Sequence, residues 1–219
     1  MTEIETTRDG LLAGRIGATT YAMIPCPDGH LLAYRGSSKQ IADLERRDFY
    51  GHSGRLDDEA AFRTTLDELE RDRSQVKELG RRRIDTRDYT PWGPSQGAIW
   101  FADGILCHGT ASHGGFELAP YRNAQIPLSM RSVSGFYEED CEWAIVAVTF
   151  PGFFTGREQR LADQTMRDWH PDVWEELNGR QLSPDESRAR AEIAFNKAHA
   201  NHWIVCSAIV SSRHAGMVE

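Results

Sequence analysis

The chain has 219 residues, 40% hydrophobic and 26% charged, a composition that fits one well-cored globular unit and excludes a disordered chain. Its 33 acidic against 25 basic residues leave a net charge of −8, which argues against broad binding to nucleic-acid backbone, where clustered cations must displace counterions. No apolar run approaches the ~20 residues needed to span a bilayer, and the acidic opening MTEIETTRDG lacks a signal peptide's basic start and apolar core, so a cytoplasmic protein with no membrane association is expected.

In chain order, TTYAMIPCPDGHLLAYRG places two strand-like runs around Pro27-Asp28-Gly29 and reads as a β-hairpin. Ser37 or Ser38 then caps a short helix carrying Ile41 and Leu44. YGHSGRLDD reads as a polar link to a long helix beginning near Asp57. Its apolar stripe is Phe62, Leu66, Leu69, Val76 and Leu79, with Asp67 and Arg71 as an i,i+4 pair and Gly80 as the stop. Arg81, Arg82 and Arg83, with Arg87 close behind, read as a solvated helix end whose cations oppose the macrodipole. The two prolines and glycine of Thr90-Pro91-Trp92-Gly93-Pro94 forbid regular structure and mark a boundary.

Beyond that boundary, Asp103-Gly104 between two apolar runs predicts a second hairpin, and HGGFELA a third strand. From Tyr137 the pattern turns helical, with Glu139-Asp140-Cys141-Glu142 in the first turn and Pro151-Gly152 at the end. GREQRLADQTMRDW and PDVWEELNG are further helices. Ser183-Pro184-Asp185-Glu186 is a capping box that opens another running toward His199. The β-favouring run HWIVCSAIVSS suits a closing strand inside a sheet. The expected class is α+β: residues 1–89 form a small hairpin-plus-helices N-terminal lobe, and residues 90–219 an antiparallel sheet with helices packed on one face.

Chemistry-bearing residues concentrate between Cys107 and Trp143. The first candidate pairs Cys141 with His113. A helix N-terminus favours a thiolate and a nearby histidine takes the thiol proton, with Glu139 beside them, although flanking acids act to raise a thiol's pKa. Thr110, Ser112 and the amides of Gly114 and Gly115 are the expected substrate binders. Cys107, His108, His113, Cys141 and His170 are permissible zinc ligands, but none has a recognised spacing, and no metal or cofactor is expected. Glu117 and His113, both placed by the HGGFE strand, offer a mixed histidine–acid site. The four cysteines show no CxxC pair and read as free thiols. His170, before a proline, reads as a helix-end cation, and the six tryptophans as core and interface filler.

Two resemblances follow from these motifs. His108-Gly109-Thr110 after Ile105-Leu106 looks like the strand-borne histidine motif of one ADP-ribosyltransferase class, whose later tyrosine and glutamate strands are not matched, since Tyr137 and Glu138 adjoin. The run TPWGPSQ…TASHGGFELAPYRNAQIP…YEEDCEWAIVAVTFP…WHPDVWEELNGRQLSPDES, from about Thr90 to Ser211, resembles an uncharacterised domain family of bacterial plasmid and prophage proteins. That resemblance implies a role in transfer, maintenance or counter-defence and brings no mechanism with it. Two functions are therefore expected. One is a mobile-element accessory protein with a Cys/His site for group transfer or hydrolysis. The other is a non-catalytic acidic factor docking on a basic protein partner, such as a host defence nuclease.

Overall fold

A computed structural model describes residues 2–36, 39–205, 207–214 and 216–218. The first five strands, β1 (Ile4–Thr6), β2 (Leu12–Ile16), β3 (Thr19–Cys26), β4 (Gly29–Gly36) and β5 (Gly51–Leu56), form an antiparallel meander in that order. The β3–β4 hairpin turns through Pro27-Asp28 as expected, with Cys26 opposite Gly29. YGHSGRLDD is not a link. Most of it is β5, an edge strand whose residues 52–55 are exposed, so it carries no apolar alternation for a sequence reader to find. Ser37 and Ser38 lie outside the described residues. The turn of 3-10 helix at Ile41–Asp43 follows Gln40, which gives no side-chain cap.

Both faces of this sheet are buried. Ala13, Ala22 and Ala33 are small enough for the segment bearing Ile41, Leu44 and Phe49 to lie over one face. On the other face, Ile16, Leu32 and Leu56 meet Phe62 and Leu66 of α1 (Glu59–Glu78). Asp58 caps that helix by accepting the Ala61 N–H at 2.7 Å. The expected Asp67–Arg71 ion pair is absent: Asp67 accepts the Thr2 N–H, and Arg71 Nε donates to the Asp67 carbonyl. Glu59 and Arg63 make the i,i+4 pair instead.

The second sheet runs β12 (Phe136–Glu138), β11 (Gly114–Leu118), β10 (Ile105–Gly109), β9 (Ala98–Ala102), β6 (Arg82–Ile84), all antiparallel. It draws β6 from before the Thr90 boundary. The two-residue strands β7 (Tyr89–Thr90) and β8 (Gly93–Pro94) close a tight turn around Trp92, so the proline-rich boundary is itself a small ribbon. Following the short α2 (Pro120–Asn123) and β12, helices α3 (Trp143–Thr149), α4 (Gly156–Trp169) and α5 (Pro171–Asn178) bury one sheet face. Phe101, Ile105, Phe116, Leu118 and Tyr137 meet Ile145, Val146, Met166 and Trp174 there. This is the α+β architecture expected.

Four local expectations fail here. Tyr137 and Glu138 belong to β12, and α3 begins only at Trp143, because strand pairing with β11 outcompetes helix for residues 136–138. Ser183–Glu186 form a turn, with Glu186 accepting from the Ser183 amide and hydroxyl, and α6 (Arg188–Ala198) is capped by Ser187 instead. The run 202–212 is not a sheet strand among its described residues. Its β-pairing among the described residues is the isolated Val210–Val218 bridge, and Cys206 lies outside the description. Trp174 fills the core, but Trp169 and Trp203 are exposed.

Arg81 is also unlike its expected role. Its side chain is 8% exposed, pairs bidentately with Glu158 at 2.7 and 2.5 Å, donates to the Phe153 carbonyl and lies 3.9 Å above the Phe101 ring. Arg82 and Arg83 enter β6, Arg82 over Trp100. Arg81 is thus part of an internal junction, whereas Arg82, Arg83 and Arg87 are exposed as expected. The junction is extended by the Asp72–Thr155 hydrogen bond and by the Gly156 N–H donating to Gln75 Oε1, which fasten α1 to the start of α4.

Candidate functional site

The face of the second sheet away from the helices carries the feature with the most chemical content. The β10–β11 register sets His108 opposite Gly115 and Leu106 opposite Glu117, so His108 and Glu117 are diagonal neighbours on one face. His108 Nε2 is 2.8 Å from Glu117 Oε2, and its Nδ1 is 3.0 Å from Ser95 Oγ. A carboxylate only accepts, so Nε2 carries a proton toward Glu117; in the neutral ring this leaves the Nδ1 lone pair facing the serine. The histidine side chain is fully buried, while Glu117 is 40% exposed.

Ser95 is held by backbone on both sides. Its N–H donates to the Asp88 carbonyl at 2.9 Å. The flanking residues are bound to β10 by Gln96 N–H to Gly109 O at 2.8 Å and Gly109 N–H to Gly97 O at 3.0 Å. The Gly97 N–H points at Ser95 Oγ from 3.3 Å. The serine hydroxyl thus has two acceptors for its one proton, His108 Nδ1 and the Gly97 carbonyl at 3.0 Å. Ser95 lines a cleft of about 820 Å³ with Asp85, Thr86, Arg87, Trp92 and Thr110, a volume within the range of small-molecule sites.

Trp92 forms a wall of this cleft and is set by two contacts. Its ring meets Phe136 edge-on, with centroids 5.9 Å apart, and lies across Gly115. A Cβ on Gly115 would come within 2.3 Å of both the indole and the Tyr137 carbonyl, so only glycine admits this packing. Gly115 was expected to bind substrate through its amide. It is buried, and its visible role is to seat Trp92.

The other expected site residues are distributed differently. Thr110 is a loop staple: its hydroxyl bonds the His113 carbonyl at 2.6 Å and its N–H the same oxygen at 2.8 Å. Ser112 is exposed at the tip of that loop. Gly114 is buried against Glu139, whose carboxylate lies 2.6 Å from where a Cβ would stand. His113 is brought to Glu138 and Glu139, with Nδ1 4.0 Å from an oxygen of each. It makes no hydrogen bond to Cys141. Glu117 turns to His108, not to His113.

Cys141 precedes α3 in a turn instead of occupying its first helical residues. Burial raises its thiol above the ordinary cysteine value, and the carboxylates of Glu142, Glu138 and Asp140 add to the effect. Burial pushes the Cys107 thiol up to about 11, with Glu139 contributing. Alkylation of both thiols in the native protein should therefore be slow at pH 7.5 and accelerate only well above pH 9. Fast labelling of Cys141 below pH 8 that slows in His113→Ala would refute this and restore the Cys–His pair. His170 is not a helix-end cation: burial lowers its pKa, with Glu142 opposing, and its Nε2 is buried without a hydrogen-bond partner. Tyr137, the tyrosine of the ADP-ribosyltransferase likeness, is buried and donates its hydroxyl to Asn123.

Ser95 was missed by sequence reasoning although a signal was present. Gly93-Pro94-Ser95-Gln96-Gly97 has the G-x-S-x-G spacing of a nucleophile elbow, but joins two strands instead of a strand and a helix. His108 and Glu117 are recognisable as its partners only once the strand register is known.

The molecule is thus an α+β protein whose second sheet carries a serine–histidine–glutamate line at a cleft, and among the described residues no helix is long and apolar enough to cross a membrane. Residues 85–200, just over half of the chain, match the family model described as a domain of unknown function (DUF7007), and the chain belongs to that family. No match is found among curated proteins or solved structures.

Proposed function

We propose that the protein is a hydrolase or acyl-group transferase whose nucleophile is Ser95. The observation that carries this reading is the unbroken hydrogen-bonded line Ser95–His108–Glu117, with Ser95 buried at 3% exposure in the wall of the Trp92 cleft. Ser95 Oγ attacks a substrate carbonyl carbon while its proton passes to His108 Nδ1. Glu117 holds the resulting imidazolium through Nε2. The same proton leaves with the departing group, and water or an acceptor hydroxyl repeats the sequence to free the enzyme. This keeps group transfer or hydrolysis as the reaction class and moves it from Cys141 to Ser95. The likeness of residues 90–211 to plasmid and prophage proteins supports a setting in mobile-element biology.

A fluorophosphonate probe, followed by peptide mass spectrometry, tests the assignment. One adduct on Ser95 is expected, formed at least tenfold more slowly in Glu117→Gln and not at all in Ser95→Ala. An unmodified wild-type protein, or equal labelling of Ser95→Ala, would show that the line is only a structural clamp.

A second reading, a non-catalytic protein-binding factor, is favoured by the exposed apolar side chains Trp203, Val205, Ile209 and Val210 together with the acidic balance. It predicts that the biological effect survives Ser95→Ala and is lost on charge reversal along α1.

A further inference from the structure

We propose that His113, Glu138 and Glu139 form a binding site for a divalent transition-metal ion, independent of Ser95. One imidazole nitrogen and two carboxylate oxygens converge from adjacent strand ends, all within 4.8 Å of one another. The 4.0 Å from His113 Nδ1 to each carboxylate is too long for a hydrogen bond. A tetrahedral ion at bond lengths of about 2.0–2.2 Å holds its ligands about 3.3–3.6 Å apart, so the exposed His113 and Glu139 side chains need to draw inward by only about half an ångström to share one ion.

Glu138 supplies a second observation. One of its oxygens accepts the Asp140 N–H at 2.7 Å, while the other, the one facing His113, is buried with no hydrogen-bond partner. A buried carboxylate oxygen without a donor is costly, and a cation removes that cost. Among the described residues, the ion pairs of Glu138 and Glu139 are with His113 alone.

The backbone holds the donors in place before any ion arrives. Glu138 is opposite Gly115 in the β11–β12 register, and the Glu139 N–H donates to the Gly114 carbonyl at 3.1 Å. The missing Cβ at Gly114 leaves the space that the Glu139 carboxylate occupies. A set of one nitrogen and two oxygens suits Zn²⁺ or Mn²⁺ better than Mg²⁺ or Ca²⁺, which prefer oxygen throughout. His113 and Glu139 are 55% and 50% exposed, so water completes the coordination.

Calorimetric titration of the chelator-treated full chain with Zn²⁺ and with Mn²⁺, in excess Mg²⁺, tests the site. One saturable equivalent is expected, weakened at least tenfold in His113→Ala and in Glu139→Gln and unchanged in Asp140→Asn. No saturable binding, or full binding by His113→Ala, overturns the proposal. Equal weakening in Asp140→Asn also overturns it, by reducing the effect to diffuse negative charge. Loss of Zn²⁺ in Cys141→Ser with retention in His113→Ala overturns it in favour of a thiolate site.

Discussion

Ser95→Ala is expected to lower the hydrolysis of activated esters by about a thousandfold or more, because it removes the oxygen that the proposed mechanism uses as nucleophile. The fold should persist. The substitution deletes one hydroxyl and its bonds to His108 and Gly97, a loss of about 1–2 kcal/mol. Glu117→Gln tests the line from its other end. Glutamine still offers an oxygen to His108 Nε2 but does not stabilise an imidazolium, so a fall of roughly ten- to a hundredfold is expected, softened by the exposure of Glu117 to water. The effect should appear in kcat, since Glu117 does not line the cleft. Steady-state kinetics with the three proteins at matched folded fraction gives the answer. Equal rates for wild type and Ser95→Ala would eliminate the serine mechanism whatever the labelling result.

Arg81→Met is expected to destabilise the protein by about 3 kcal/mol or more, read by chemical denaturation. Arg81 is nearly buried and fills three roles: a bidentate pair with Glu158, a bond to the Phe153 carbonyl and a face over Phe101. Removing it strands a half-buried carboxylate that also serves as the acidic partner in the capping box of α4. Burial works to raise the Glu158 carboxyl, but the Arg81 and Thr155 bonds outweigh it, and the carboxyl lies below its ordinary value. The stabilisation linked to it is therefore complete above the ordinary glutamate range and is lost as pH falls through the lower folded value. Arg81→Met should lose that acid-side dependence together with its stability. The double variant Arg81→Met, Glu158→Leu should recover part of the loss, because an apolar pair leaves no buried charge behind. A single-variant loss under about 1 kcal/mol would mean that the junction behaves as a solvated surface pair.

The parts of the fold that were legible share one property: their cause lies within a few residues. The turns at Pro27-Asp28-Gly29 and Asp103-Gly104 specify their hairpins by backbone chemistry. The stripe through Phe62 and Leu66, stopped by Gly80, specifies α1. The parts misread depend on partners far along the chain. β5 is a strand because β4 offers it an edge, although GHSGRL has almost no apolar pattern. The apolar run near Trp203 has high strand propensity, yet among its described residues it joins neither sheet. β-propensity measures fit to a half-buried pleated surface, and among the described residues neither sheet extends to this run.

The candidate site divides along the same line. Sequence pointed to the stretch from Cys107 to Trp143 and to a histidine–acid arrangement within it, because glycines, histidines and acids cluster there. It did not say which histidine meets which acid. An alternating strand sends His108 and Glu117 to one face, and register alone brings them within 2.8 Å. Ser95 reaches them from a turn thirteen residues before His108, and Arg81 reaches Glu158 across 77 positions. The sequence by itself determined the class, the hairpin turns at Pro27-Asp28-Gly29 and Asp103-Gly104, and the long helix α1. Only the tertiary structure decided the pairings, because hydrogen bonds and ion pairs act over about 3 Å in space and carry no trace of their partners along the chain.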